Sequence, residues 1–142
     1  MGRGTDTVGD ARLSVIVAEP HELVRNALTG LIDVEPGFSV VAQAPDLAGA
    51  ETELGRRRPS LILLEPAILG HGGLVHLPGL LRLSPQTRAL LLTDDPSPAL
   101  ERHAHGWGAV GTILKHATPD DLFLALRRAM GGPPTPAPAT GT

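Results

Sequence analysis

Between residues 12 and 130, short apolar runs alternate with segments whose apolar residues recur every three or four positions. The runs are LSVIVA (13–18), FSVVAQA (38–44), SLILLE (60–65), RALLLT (88–93) and GTILK (111–115). Runs that stay apolar at successive positions bury both faces, as parallel strands covered by helices on each side require. In the first intervening segment Leu23, Val24, Ala27, Leu28, Leu31 and Ile32 fall on one helical face. Asp46 is placed to cap the second helix, with Leu47, Ala50 and Leu54 turned inward. The third is interrupted by Pro78 and Gly79, so it either starts late, with Pro78 in its first turn, or is kinked. Ser97 and Pro98 open the fourth. Thr118, Pro119 and Asp121 open the fifth with something like a capping box, and Gly131 stops it. The pattern predicts an α/β fold, (βα)5, with a doubly wound parallel sheet.

The ends break the pattern. Residues 1–11 are rich in Gly, Thr and Asp without periodicity and predict a flexible leader. Residues 131–142, GGPPTPAPATGT, contain only Gly, Pro, Thr and Ala and predict an extended linker or tail. One domain, 12–130, is expected between them. Its core must be aliphatic, because the 142 residues include one Trp, two Phe and no Tyr. That composition disfavours aromatic platforms for single-stranded nucleic acid. A formal charge of −3 disfavours broad attraction to phosphates, so this segment is not expected to bind nucleic acid. Absent cysteines exclude disulfides and thiolate chemistry. No apolar run is long enough for a membrane span, and a cytoplasmic protein is expected.

In open parallel sheets, functional groups gather at the carboxyl ends of strands near the switch point of the strand order. For a flavodoxin-like order, 2-1-3-4-5, the ends of strands 1, 3, 4 and 5 supply Glu19, Glu65, Thr93 and Lys115. Both carboxylates are followed at once by proline, Pro20 and Pro66.

These residues sit in VAEPHELVRNAL, PSLILLEPAILGHGGL, RALLLTDD and GWGAVGTILKHATPDDLFLALRRAM. Taken in order, the segments resemble the receiver domain of bacterial response regulators, in the NarL/FixJ branch usually joined to a LuxR-type helix-turn-helix. The resemblance covers residues 12–130. It implies a phosphoacceptor Asp at the end of strand 3, where this chain has Glu65. It implies an acidic pair at the end of strand 1, where this chain has Glu19 and Pro20. The position at which many relatives carry a switch aromatic is Thr112. Thr93 and Lys115 match the family pattern residue by residue.

Two carboxylates and one lysine hold less negative charge than three carboxylates and one lysine, and Pro20 offers no side-chain oxygen. Mg²⁺ binding is therefore expected to be weak or absent, and no cofactor is expected. Glu65, one methylene longer than Asp, is expected to pair with Lys115 and to accept a hydrogen bond from Thr93. The resemblance then implies a phosphorylation-independent, atypical receiver of a two-component system. It would act as the regulatory and dimerisation module of a transcription regulator, with its DNA-binding module outside this chain, and not as an enzyme. Pairing through helices 1 and 5, or through helices 4 and 5 with strand 5, is expected. The alternatives are a small-molecule sensor using the vacated pocket, a receiver still phosphorylated at Glu65, and a flavodoxin-like enzyme. The last lacks a nucleophile with a base, and it lacks a Gly-rich phosphate loop after strand 1.

The remaining signals favour plain readings. Arg56–Arg58 end a helix, where cations complement its dipole. His71, His76, His103, His105 and His116 match no metal-ligand spacing. His21 matches a histidine frequent in the branch. Trp107 is expected between helix 4 and strand 5, and Gly70, Gly72 and Gly73 are expected in a flexible loop.

Overall fold

The computed structural model describes residues 12–131. The predicted leader (1–11) and all but the first residue of the predicted linker or tail (131–142) lie outside the described residues. Five parallel strands stand in the order β2-β1-β3-β4-β5. They are β1 (Leu13–Ala18), β2 (Phe38–Ala44), β3 (Leu61–Leu64), β4 (Arg88–Thr93) and β5 (Ala109–Leu114). The helices are α1 (Glu22–Asp33), α2 (Leu47–Arg57), α3 (Leu77–Leu81), α4 (Pro98–Gly106) and α5 (Pro119–Gly131).

The two-residue period of the strands divides the core into two layers. Val15, Val17, Leu61, Leu63, Leu90 and Leu92 face α1 and α5, where they meet Leu28, Ile32, Leu122 and Leu126. Ile16, Ala18, Ile62, Leu64, Ala89 and Leu91 face the other way, toward Ala50 and Leu54 of α2, Leu77 and Leu80 of α3 and Ala104 of α4. Residues 15–18, 61–64 and 89–92 of the three central strands lack polar positions for this reason, whereas the edge strand β2 carries an exposed Gln43.

Local signals set the helix starts. The Asp46 side chain accepts the Gly49 N–H at 2.8 Å, Ser97 accepts that of Leu100 at 3.1 Å, and Thr118 accepts that of Asp121 at 3.1 Å. The third helix takes the late start. Two 3₁₀ turns, Pro66–Leu69 and Gly73–His76, precede a five-residue α3 with Pro78 in its first turn.

Several expectations need correction. Strand 5 begins two residues before the predicted 111, at Ala109, and β3 spans 61–64 rather than 60–65. Leu23 and Ala27, assigned to the inner face of the first helix, are exposed, Leu23 at 83%. Both line an open cavity of about 230 Å³, together with Val24 and Leu28 of the same helix and with Leu114, Ala117 and Leu122 opposite. Trp107 packs from the end of α4 onto the core layer that includes Ala104 and Ala109.

Candidate functional site at the carboxyl edge of the sheet

Parallel pairing brings the ends of β1, β3, β4 and β5 to one edge. Ala18 lies opposite Leu64, and Thr93 lies opposite Leu114. The ladder runs one step beyond each strand: the Glu65 N–H donates to Ala18 O at 2.9 Å and the Lys115 N–H to Thr93 O at 2.8 Å. Glu19, Glu65 and Lys115 thus follow directly from the last residues of three strands.

Their side chains form one ion triad. Lys115 Nζ lies 2.5 Å from Glu65 Oε1 and 3.1 Å from Glu19 Oε1. Glu19 is fully buried, and the Lys115 side chain retains 6% exposure. Glu65 retains 19%, which places it at the mouth. The second oxygen of each carboxylate is used in the same way at both strand ends. Glu19 Oε2 accepts the His21 N–H and Glu65 Oε2 accepts the Ala67 N–H, each at 2.8 Å and each from the residue after the proline. Proline has no N–H and a fixed φ, so it turns the chain and leaves the following N–H to face back toward the carboxylate. Glu19 Oε1 accepts no hydrogen bond of good geometry and has the ammonium as its counter-charge.

Burial by itself would lower the pKa of Lys115, because a desolvated ammonium is disfavoured. Close contact with the Glu65 and Glu19 carboxylates, and their charge attraction, outweigh that effect and hold the lysine above its ordinary value. The ammonium is therefore the stable form across the neutral range. Two carboxylates against one ammonium leave a single formal negative charge, with both carboxylates already engaged.

Thr93 does not join the triad. Its Oγ1 accepts the Asp95 N–H at 3.1 Å, and the described hydrogen bonds include none between Thr93 and Glu65, which corrects the expected contact. The Ala67 N–H occupies the Glu65 oxygen that is not bound to Lys115. Pro20 is exposed and contributes only its carbonyl, which accepts from Arg25 Nη1 at 3.4 Å. Thr112 lies on β5 opposite Leu91, two residues before the strand ends, and bonds to Glu101 of α4. His116 and Asp94 form an exposed pair at 3.5 Å, and no cluster of three or more metal-ligating side chains occurs among the described residues.

Two contacts go beyond the sequence-based expectation. Glu19 is expected in the pocket, but its direct pairing with Lys115 is a finding of the structure. Arg25 Nη1 donates to Glu19 O at 2.8 Å and pins the β1–α1 turn. A cation in the second turn of the helix that follows an acidic strand end was the available signal for Arg25.

Comparison with known proteins places this edge in context. The oxygen regulatory protein NreC of Staphylococcus epidermidis is 27% identical over 121 residues, which cover 84% of this chain and 56% of that protein. This chain thus spans about half the length of the curated relatives it matches. Among solved structures, the signal receiver domain assigned to the response regulator NarL of Mycobacterium tuberculosis superposes with a TM-score of 0.75 at 25% identity. The match covers 86% of this chain and 98% of that one. A two-component response regulator of the LuxR family from Aurantimonas sp. SI85-9A1 gives 0.76 at 25% identity, covering 85% and 86%. The model of the response regulator receiver domain matches residues 15–127, from the middle of β1 into the last turns of α5. With the strand order and the placement of Thr93 and Lys115 at the sheet edge, that match shows that this chain belongs to the response regulator receiver domain family.

Proposed function

We propose that this chain is an atypical receiver domain that works without phosphorylation of Glu65, as the regulatory and dimerisation part of a longer, cytoplasmic transcription regulator. The observation that carries the reading is the Lys115 ammonium held between two carboxylates. Phosphoryl transfer to a carboxylate needs a free attacking oxygen and a divalent cation to offset charge on the transferred group. Here one oxygen of Glu65 contacts the ammonium and the other accepts a backbone N–H. Glu19 is committed in the same manner, and the next residue is proline. A Mg²⁺ ion, which favours nearly octahedral oxygen ligands, would have to break these contacts to bind.

The extra length of the curated relatives supports a further module in the full protein, and LuxR-type neighbours support a DNA-binding one. No helix among the described residues is long and apolar enough to cross a membrane. The vacated pocket of the small-molecule alternative would coincide with space that the triad fills, and the open cavity lies beside it, between α1 and the start of α5.

Incubation with acetyl phosphate and Mg²⁺, followed by intact mass measurement, tests the reading. No phosphoryl adduct is expected. An adduct that forms in the natural chain and disappears in Glu65→Gln would overturn it.

A further inference from the structure

The outer edge of the sheet holds an arrangement that the triad does not use. β5 is the last strand, so its backbone groups on the side away from β4 have no strand partner. Such groups are satisfied by water, a side chain or another chain. In this protein Glu101, in the first turn of α4, supplies the acceptor. The Thr112 N–H donates to Glu101 Oε2 at 3.1 Å, and Thr112 Oγ1 lies 3.2 Å from the same oxygen and 3.4 Å from Oε1. Two donors of one residue thus converge on one carboxylate, and charge-assisted hydrogen bonds are roughly twice as strong as neutral ones.

A Cβ at Gly111 would be tight against Leu90 Cδ1, at 3.3 Å, and would stand in ordinary van der Waals contact with Glu101 Oε2, at 3.8 Å. The negative charge also sits favourably in the first turn of a helix. One strand inward, Thr93 spends its hydroxyl on its own loop. Neither threonine hydroxyl is bonded to Glu19, Glu65 or Lys115 among the described hydrogen bonds.

We propose that Glu101 is a positioning residue that clasps α4 to β5 through Thr112, so that the α4–β5 surface is set by this contact and not by the ion triad. The clasp holds the surface on which α4 and β5 meet, whether or not Glu65 is phosphorylated. It also makes Thr112 a fixed anchor on β5.

Amide hydrogen exchange resolved by residue tests it in the natural chain and in Glu101→Ala, Glu101→Gln, Thr112→Val and Glu65→Gln. Glu101→Ala should speed exchange of the residue 112 amide by roughly tenfold or more, as expected for losing about 1.4 kcal/mol of local protection. Amides of β1 and β3 should keep their protection. Glu101→Gln, which keeps one acceptor oxygen, should recover part of the effect, and Thr112→Val should show a smaller one. Glu65→Gln should leave the Thr112 amide unchanged. Three results would overturn the proposal: an unchanged amide in Glu101→Ala, acceleration spread evenly over all strands, or acceleration in Glu65→Gln as large as in Glu101→Ala. A phosphoryl adduct at Glu65 would be seen separately by mass, and it would not alter the reading of exchange in unlabelled protein.

Discussion

Two strand ends carry the same dipeptide, Glu19-Pro20 and Glu65-Pro66, and make the same pair of contacts with different exposure. In each, one oxygen takes the N–H of the residue after proline and the other meets Lys115. Glu19 is fully buried at the end of β1, and it leads into the twelve-residue α1. Glu65 keeps partial access to water and caps a short 3₁₀ turn. The local motif is shared, so the difference comes from what lies over it. His21 and Arg25 close over Glu19, while the mouth of the site stays open beside Glu65. One lysine therefore serves two partners of unequal dependence. Glu65 has water as an alternative to the ammonium, and Glu19 does not.

The largest expected effect comes from removing the shared partner. Lys115→Met should cost about 3–5 kcal/mol in denaturant unfolding near pH 7, because a buried carboxylate loses its counter-charge. A loss below about 1 kcal/mol would break the claim that the burial of Glu19 depends on Lys115. Next come the carboxylates themselves. Glu19→Gln should cost about 1–3 kcal/mol, since an amide buried against the ammonium satisfies it poorly. Glu65→Gln should cost about 0–1 kcal/mol, because its surroundings are partly solvated. Equal losses, or the reverse order, would erase the distinction between the two strand ends.

A pH series sharpens the same point with a smaller effect. The folded-state pKa of Lys115 is raised, so the stability it contributes is fully present below the unfolded value of about 10.4 and is lost as pH rises through the folded value. The alkaline limb of the stability curve should therefore fall less steeply in Lys115→Met than in the natural chain. Matching limbs would mean that the triad does not raise this group.

The central strands were legible because burial on both faces leaves a run without polar positions, and Ile16, Leu63 and Leu91 sit in such runs. The helix caps were equally plain, since Asp46, Ser97 and Thr118 act on N–H groups three residues away. The exposed start of α1 was not legible. Periodicity says that Leu23 and Leu28 are on related faces, but it does not say that Leu28 is buried while Leu23 is exposed. At the site, the meeting of Glu65 with Lys115 followed from the strand order, whereas the second contact of Lys115 with Glu19 did not. Nor was the Glu101–Thr112 clasp visible, because it joins a helix to a strand edge through no local motif.

The sequence by itself determined which segments become strands, where each strand stops to within about one residue, and which charged groups stand at the stops. Those properties depend on solvent exclusion and on backbone geometry within a few residues. Only the tertiary structure decided how the charges are shared. A lysine that follows β5 reaches both Glu19 and Glu65 because parallel register sets it beside Thr93, across strands that are distant in the chain. The strength of each pair then depends on how much water the surrounding turns exclude, and no run of neighbouring residues encodes that.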